Sequence, residues 1–187
     1  MVCVILADGF EEMEAIAPID LLRRAGVEVV TASIMESRRV TGGHGISTEA
    51  DALLSDISGT CEMVVLPGGL GCLENMQKSA ALTKFLRAQD AAGAQLAAIC
   101  AAPTHLSALG LLRGAHAVCY PDMKDALSDG KYCEDQSVVR DGRIITGEAA
   151  GSATEFALKL IEALRGWEAS ERVRKAIHFT SHTKGLD

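Results

Sequence analysis

The segment Gln95-Leu96-Ala97-Ala98-Ile99-Cys100-Ala101-Ala102-Pro103 constrains this chain more than any other. An apolar run stops at a cysteine, and small residues then open a helical pattern. That order predicts a strand, a sharp turn and a helix, with a thiol at the turn. The turn holds the sulfur clear of the backbone, and the positive end of a helix favours the thiolate. The thiolate is the reactive form, so Cys100 is a candidate for nucleophilic or redox chemistry. The competing reading is a small apolar thiol buried at a strand end.

The flanking pattern alternates between strand and helix. Residues 2–7 form a continuous apolar run, as in a strand buried on both faces. Asp8-Gly9 turns the chain, and Met13, Ile16, Ala17, Asp20, Leu21 and Arg24 follow helical spacing up to Gly26. Residues 27–32 predict a second strand, and Gly42-Gly43 a hairpin turn within 40–48. A strand over 63–66 ends in Pro67-Gly68-Gly69, and Ser79 caps a helix running to Gly93. A helix over 102–109 follows Cys100. Short strands are expected at 117–120, 137–140 and 144–146, with Asp141-Gly142 as a turn. An amphipathic helix over 153–164 stops at Gly166, and a last helix covers 167–176. The polar tail 180–187 is expected to fray. Such alternation predicts one α/β domain, a three-layer sandwich around a mostly parallel sheet. Sites in such sheets lie at the carboxyl ends of strands, where Glu14, Gly68-Gly69 and Cys100 are expected to converge.

Composition narrows the classes. The chain has 187 residues, is 48% hydrophobic and carries a net charge of −7. That is enough for a full core, and an acidic chain without a basic run is a poor partner for nucleic acid or an anionic membrane. No apolar run is long enough to span a bilayer. The start shows no signal peptide, so a cytoplasmic location is expected. Six cysteines are scattered without a C-x-x-C pair. Neither a disulfide framework nor a zinc site is expected, and most of these thiols read as buried apolar residues in a reducing compartment.

Gly68 and Gly69 let the backbone approach a substrate and present N–H groups to an oxyanion, although they also suit a plain turn. The Ala101 N–H is a natural second donor. Glu11 and Glu12 read as solvated carboxylates favoured by the helix dipole. Glu14, between Met13 and Ala15, is placed to point inward, where burial beside a thiolate raises its pKa. A protonated Glu14 then donates to the sulfur and shuttles protons. His105 reads as a packing or surface residue, and His44 as lining a cleft mouth. His116, His178 and His182 have no evident carboxylate or cysteine partner in the sequence, so no Cys-His-Asp triad is announced.

These residues together resemble the DJ-1/ThiJ/PfpI superfamily, in its DJ-1/YajL-like branch. The resemblance rests on Val4-Ile5-Leu6-Ala7-Asp8-Gly9-Phe10-Glu11-Glu12-Met13-Glu14, Leu66-Pro67-Gly68-Gly69, Ala97-Ala98-Ile99-Cys100-Ala101-Ala102-Pro103-Thr104 and Glu155-Phe156-Ala157-Leu158. It spans residues 1–179 as one domain. It implies a flavodoxin-like sandwich, usually a homodimer joined through the first helix and the 40–48 hairpin, with no cofactor. Cys100 matches the family's oxidisable nucleophile, Glu14 the glutamate that hydrogen-bonds it, and Gly69 and Ala101 the backbone donors. Gly68, Tyr120, His44 and Ala150 are implied to line the site. Tyr120 stands where a histidine is common, which shifts proton work to Glu14. Glu148-Ala149-Ala150-Gly151 replaces the usual Arg-Gly-Pro-Gly, which removes a positive charge and raises the thiol pKa. His44 stands where an arginine is common. Ala101 replaces the histidine of the protease-like branch, which argues against a peptidase.

The resemblance implies a glutathione-independent glyoxalase or deglycase acting on methylglyoxal-type dicarbonyls or their adducts. The alternative is a redox sensor or protective chaperone working through oxidation of Cys100.

Overall fold

The computed structural model describes residues 1–180. In chain order the elements are β1 (Val2–Leu6), α1 (Glu12–Arg24), β2 (Val29–Ser33), β3 (Arg39–Thr41), β4 (Ser47–Glu49), β5 (Ala52–Leu53) and β6 (Met63–Leu66). Then come α2 (Leu70–Lys78), α3 (Ala80–Ala91), β7 (Gln95–Ile99), α4 (Ala102–Ala108), β8 (His116–Ala117) and β9 (Lys131–Tyr132). The chain finishes with β10 (Val138–Asp141), β11 (Ile144–Gly147), α5 (Ala153–Arg165) and α6 (Trp167–Ala176).

Seven strands form one sheet in the order β10-β11-β7-β6-β1-β2-β5. All pair in parallel except β10, which joins β11 as an antiparallel hairpin through Gly142. Every residue of β1 and of β6 is buried, as unbroken apolar strands require. Helix α1 packs on α5 and α5 on α6, while α2 packs on α3 and α4. From β1 the chain moves outward to β2, and from β6 it moves the other way to β7. With right-handed crossovers those moves send their helices to opposite faces. The carboxyl ends of β1 and β6 therefore border the crevice where the strand order reverses, the usual ligand position in such sheets.

Most expected elements are present, with local differences. The second strand sits two residues later than its apolar run begins, at Val29–Ser33, because Val27 donates back to Leu22 and extends the end of α1. The 117–120 segment pairs only over His116–Ala117, and a 3-10 turn at Pro121–Ala126 takes over. Helix α2 was not foreshadowed: it begins directly at Leu70, capped by Gly69 with φ +94°. Ser79 then accepts a hydrogen bond from the Leu82 N–H and starts α3 as predicted. The expected frayed tail lies, beyond Thr180, outside the described residues. Among the described residues no helix is long and apolar enough to cross a membrane.

Candidate active site

Cys100 closes β7 in the left-handed region, with φ +64°. A side chain there costs of order 1–3 kcal/mol and persists only where the surroundings overdetermine it. They do so on both sides of the residue. The Cys100 N–H donates to the Gly147 carbonyl at 3.0 Å, and the Cys100 carbonyl accepts from the Tyr120 N–H at 2.8 Å. The chain is thus forced to turn at the sulfur, and α4 departs one residue later with Pro103 in its first turn.

Glu14 reaches the same point from α1 and is fully buried. Its Oε2 accepts the Gly68 N–H at 2.8 Å, while Oε1 is buried without a hydrogen-bond partner. Gly68 lies against both side chains: a Cβ on it would lie 2.5 Å from Glu14 Oε2 and 2.7 Å from Cys100 Cβ. Gly69 is equally constrained, since a Cβ there would lie 2.2 Å from the Gly9 carbonyl oxygen. The close approach of these strand ends therefore requires glycine at both positions.

Burial pushes the Glu14 carboxyl up to about 7, and the charge of Glu11 adds to the shift. Hydrogen bonds with Cys100 and the Gly68 N–H oppose it. Burial likewise pushes the Cys100 thiol up to about 12, with the charge and hydrogen bond of Glu14 adding to it. The N–H groups of Ala101 and Gly69 pull it back only in part. The expectation of a thiol favoured as thiolate by the helix terminus is therefore corrected. Helix α4 spans only seven residues, and desolvation beside a carboxylate outweighs two amide donors. Of the two groups, the carboxyl is the one that changes charge near neutrality.

The structure brings Cys100, Glu14, Gly68, Gly69 and Ala101 together. Tyr120 touches the site through its backbone, and its ring belongs to a residue that is 42% exposed. Ala150 opens a half-buried 3-10 turn at Ala150–Ser152, three residues past the carbonyl that anchors Cys100. His44 is engaged elsewhere: its Nδ1 lies 2.8 Å from Glu12 Oε2. Glu12 is not the solvated carboxylate expected. It is 8% exposed because the hairpin folds over it and supplies N–H donors. Burial alone would raise its carboxyl, but the ring and N–H of His44, its own N–H and that of Ile46 hold it below the usual range. Glu11, Glu12 and His44 offer ligand atoms within 4.8 Å of one another, but those donors already balance Glu12.

His105 is buried, as packing requires, with Nε2 lacking a partner. His116 does have a carboxylate, since its Nδ1 lies 3.0 Å from Asp141 Oδ2. That partner is 25 residues away in sequence, which hides the pair from local reading. Of the six free cysteines, Cys3, Cys61, Cys72 and Cys119 are buried. A cleft of about 510 Å³ lined by Asp8, Met35, Arg39 and Lys78 contains neither Cys100 nor Glu14.

A doubly wound α/β sandwich with a strained cysteine at a strand end, facing a buried carboxyl, defines a class of cysteine-centred sites. The chain belongs to the DJ-1/PfpI family, whose model matches residues 1–163. It is 42% identical to protein dj-1beta of Drosophila melanogaster over 93% of this chain and 94% of that one. It is 34% identical to the glutathione-independent glyoxalase DJR-1.2 of Caenorhabditis elegans over 89% of both chains. The solved structure of oxidized DJ-1 from Toxoplasma gondii superposes with a TM-score of 0.91 at 38% identity, covering 96% of this chain and 98% of that one.

Proposed function

We propose that the protein is a cofactor-independent glyoxalase that converts methylglyoxal and related dicarbonyls to hydroxy acids, with Cys100 and Glu14 as its catalytic residues. The observation that carries this reading is the Glu14 carboxyl, buried against Cys100 and poised near pH 7. A general acid-base group works best when its pKa lies near the working pH. The named C. elegans glyoxalase supports the same reading.

The reactive state holds one proton between the two groups. The thiol proton passes to the Glu14 carboxylate, and the sulfur adds to the aldehyde carbon. The Gly69 and Ala101 N–H groups stabilise the alkoxide that forms, and Glu14 returns the proton to it, giving a hemithioacetal. The Glu14 carboxylate then removes the hydrogen from that carbon, and an enediol forms. Protonation at the neighbouring carbon leaves a lactoyl thioester on Cys100. Water cleaves the thioester, releasing lactate and restoring the thiol. One methylglyoxal and one water are consumed for each lactate. Early glyoxal adducts of amino or thiol groups first expel the amine or thiol as their carbinol hydroxyl gives up its proton to it, and the regenerated aldehyde enters the same cycle at the addition step, which is the deglycase form of this function.

The test is lactate formation from methylglyoxal without glutathione. Wild type turns over, and Cys100→Ser and Glu14→Gln do not. Wild-type inactivity refutes the reading. A second reading, peroxide sensing, draws on the half-buried exposure of Cys100 and on the relative solved in an oxidized state. Peroxide takes the thiolate to sulfenate and a second peroxide takes it to sulfinate, each step releasing one water equivalent. Peptide mapping after mild peroxide checks it: oxidation concentrated at Cys100 supports a sensor, and equal oxidation of Cys133 opposes one.

The working unit in this proposal is a cytoplasmic homodimer. Met13 and Ile16 on α1 and Ile46 at the hairpin are large exposed apolar side chains on neighbouring elements. Such a patch suits a two-fold interface. A monomeric mass in solution scattering overturns it. The domain is taken as residues 1–179.

A further inference from the structure

The hairpin of β3 and β4 is too short to be stable alone, with three residues in each strand. Its turn is nevertheless held by a dense set of contacts, and they converge on one side chain. Glu12 Oε1 accepts the His44 N–H at 2.8 Å and the Ile46 N–H at 3.4 Å. Glu12 Oε2 pairs with His44 Nδ1 at 2.8 Å. Gly42 packs so closely on this carboxylate that a Cβ would lie 2.3 Å from Oε1.

The same turn grips the segment before α1. The Gly43 N–H donates to the Phe10 carbonyl at 2.8 Å, and the Gly9 N–H to the Thr41 carbonyl at 2.7 Å. That segment in turn forms the backing of the reactive site. The Glu11 N–H donates to the Gly68 carbonyl at 3.1 Å, and Gly9 and Glu11 backbone atoms press on Gly69. Gly68 holds Glu14 through its N–H and packs so closely on Cys100 that a Cβ on it would lie 2.7 Å from Cys100 Cβ. A continuous chain of short contacts therefore runs from the Glu12 carboxylate to both reactive groups.

We propose that Glu12 is a positioning residue: by clamping the 42–46 turn onto Gly9–Glu11, it fixes Gly68 and Gly69 against the Cys100–Glu14 pair. Glu12 touches neither reacting group. It acts because charge-assisted hydrogen bonds hold a turn that would otherwise lift, and misplacing a donor by about 1 Å costs of order 10²-fold in rate. The inference rests on the glyoxalase reading only for its turnover assay, because thiol alkylation reports the site independently.

The experiment compares wild type with Glu12→Ala, Glu12→Gln and His44→Ala. It measures methylglyoxal kcat and KM, and the rate of Cys100 alkylation by iodoacetamide across pH. Glu12→Ala is expected to lower kcat at least about tenfold with KM little changed, and to shift the alkylation profile. Glu12→Gln retains an acceptor oxygen for the two backbone donors and is expected to recover most of the loss. His44→Ala removes the ring contact alone, and an intermediate effect is expected. A folded Glu12→Ala with wild-type kcat and alkylation profile overturns the proposal. Should that variant not fold, a wild-type profile in His44→Ala overturns it instead. An altered alkylation profile with no wild-type turnover leaves positioning standing and removes the glyoxalase reading.

Discussion

Glu12 and Glu14 share the first turn of α1, and both are screened from water, yet their carboxyls move in opposite directions. Burial is the largest single influence on each. At Glu12 it is outweighed by the hairpin, whose N–H groups and histidine ring meet both oxygens. At Glu14 the Gly68 N–H and the Cys100 thiol are the donors, one oxygen lacks a close partner, and burial wins. Donor count, not depth, decides which carboxyl stays ionised and which holds a proton near neutrality. That separation gives two carboxyls, two residues apart in a single helix, opposite preferences for the proton, as the proposed division into an anchoring carboxylate and an acid-base group requires.

The largest expected effect tests this division directly. Glu14→Gln should cost about 10²- to 10⁴-fold in methylglyoxal turnover, the range for losing a general acid-base. Glu12→Gln should cost less than about tenfold, since its amide oxygen still accepts. Steady-state kinetics of the two variants side by side decide the matter, and equal losses would erase the distinction.

Gly68→Ala should follow in size. Its methyl would press on both Glu14 Oε2 and Cys100 Cβ, forcing the pair apart. Activity should fall about 10²-fold, the usual result of such misplacement, while the circular dichroism spectrum stays native.

The next effect is on stability. The folded pKa of Glu14, about 7, lies above the 4.5 of an unperturbed glutamate. Between those values the folded chain binds more protons than the unfolded one, so stability falls as pH rises through that window. The raised value corresponds to about 3 kcal/mol lost by pH 8 relative to pH 4. Denaturant midpoints should show this decline in wild type and not in Glu14→Gln. Glu12, shifted down, acts with the opposite sign: its contribution is present above its unfolded pKa and is lost as pH falls through the folded one.

His105 gives the smallest effect. Burial lowers its pKa, so its contribution holds above pH 6.5, the value of an unperturbed histidine, and is lost as pH falls below. His105→Leu should flatten that acid limb of the stability profile, as thermal melts between pH 5 and pH 7 would reveal.

Local chemistry made much of this molecule legible before its structure. Apolar runs marked β1, β6 and β7, and the break at Cys100 marked the turn that carries the sulfur. Glu14 stood out between Met13 and Ala15, although of those two only Ala15 shares its buried face and Met13 is exposed. What was hidden depends on distant chain. Helix α2 starts on a glycine pair around Leu70 that suits a loop equally well until Gly9 packs against Gly71. The burial of Glu12 is supplied by a hairpin 32 residues away, and the partner of His116 lies at Asp141. The raised thiol of Cys100 follows from desolvation by the whole crevice, which helix-terminus arguments do not contain.

The left-handed backbone at Cys100 has a consequence for how such a chain tolerates change. Glycine would occupy that conformation without strain, so Cys100→Gly should leave the molecule as firm as before or firmer while removing its chemistry. Selection for heat resistance alone would erode this position. A cysteine here stands against a local conformational preference for glycine, which in the proposed reading is a trade of robustness for reactivity.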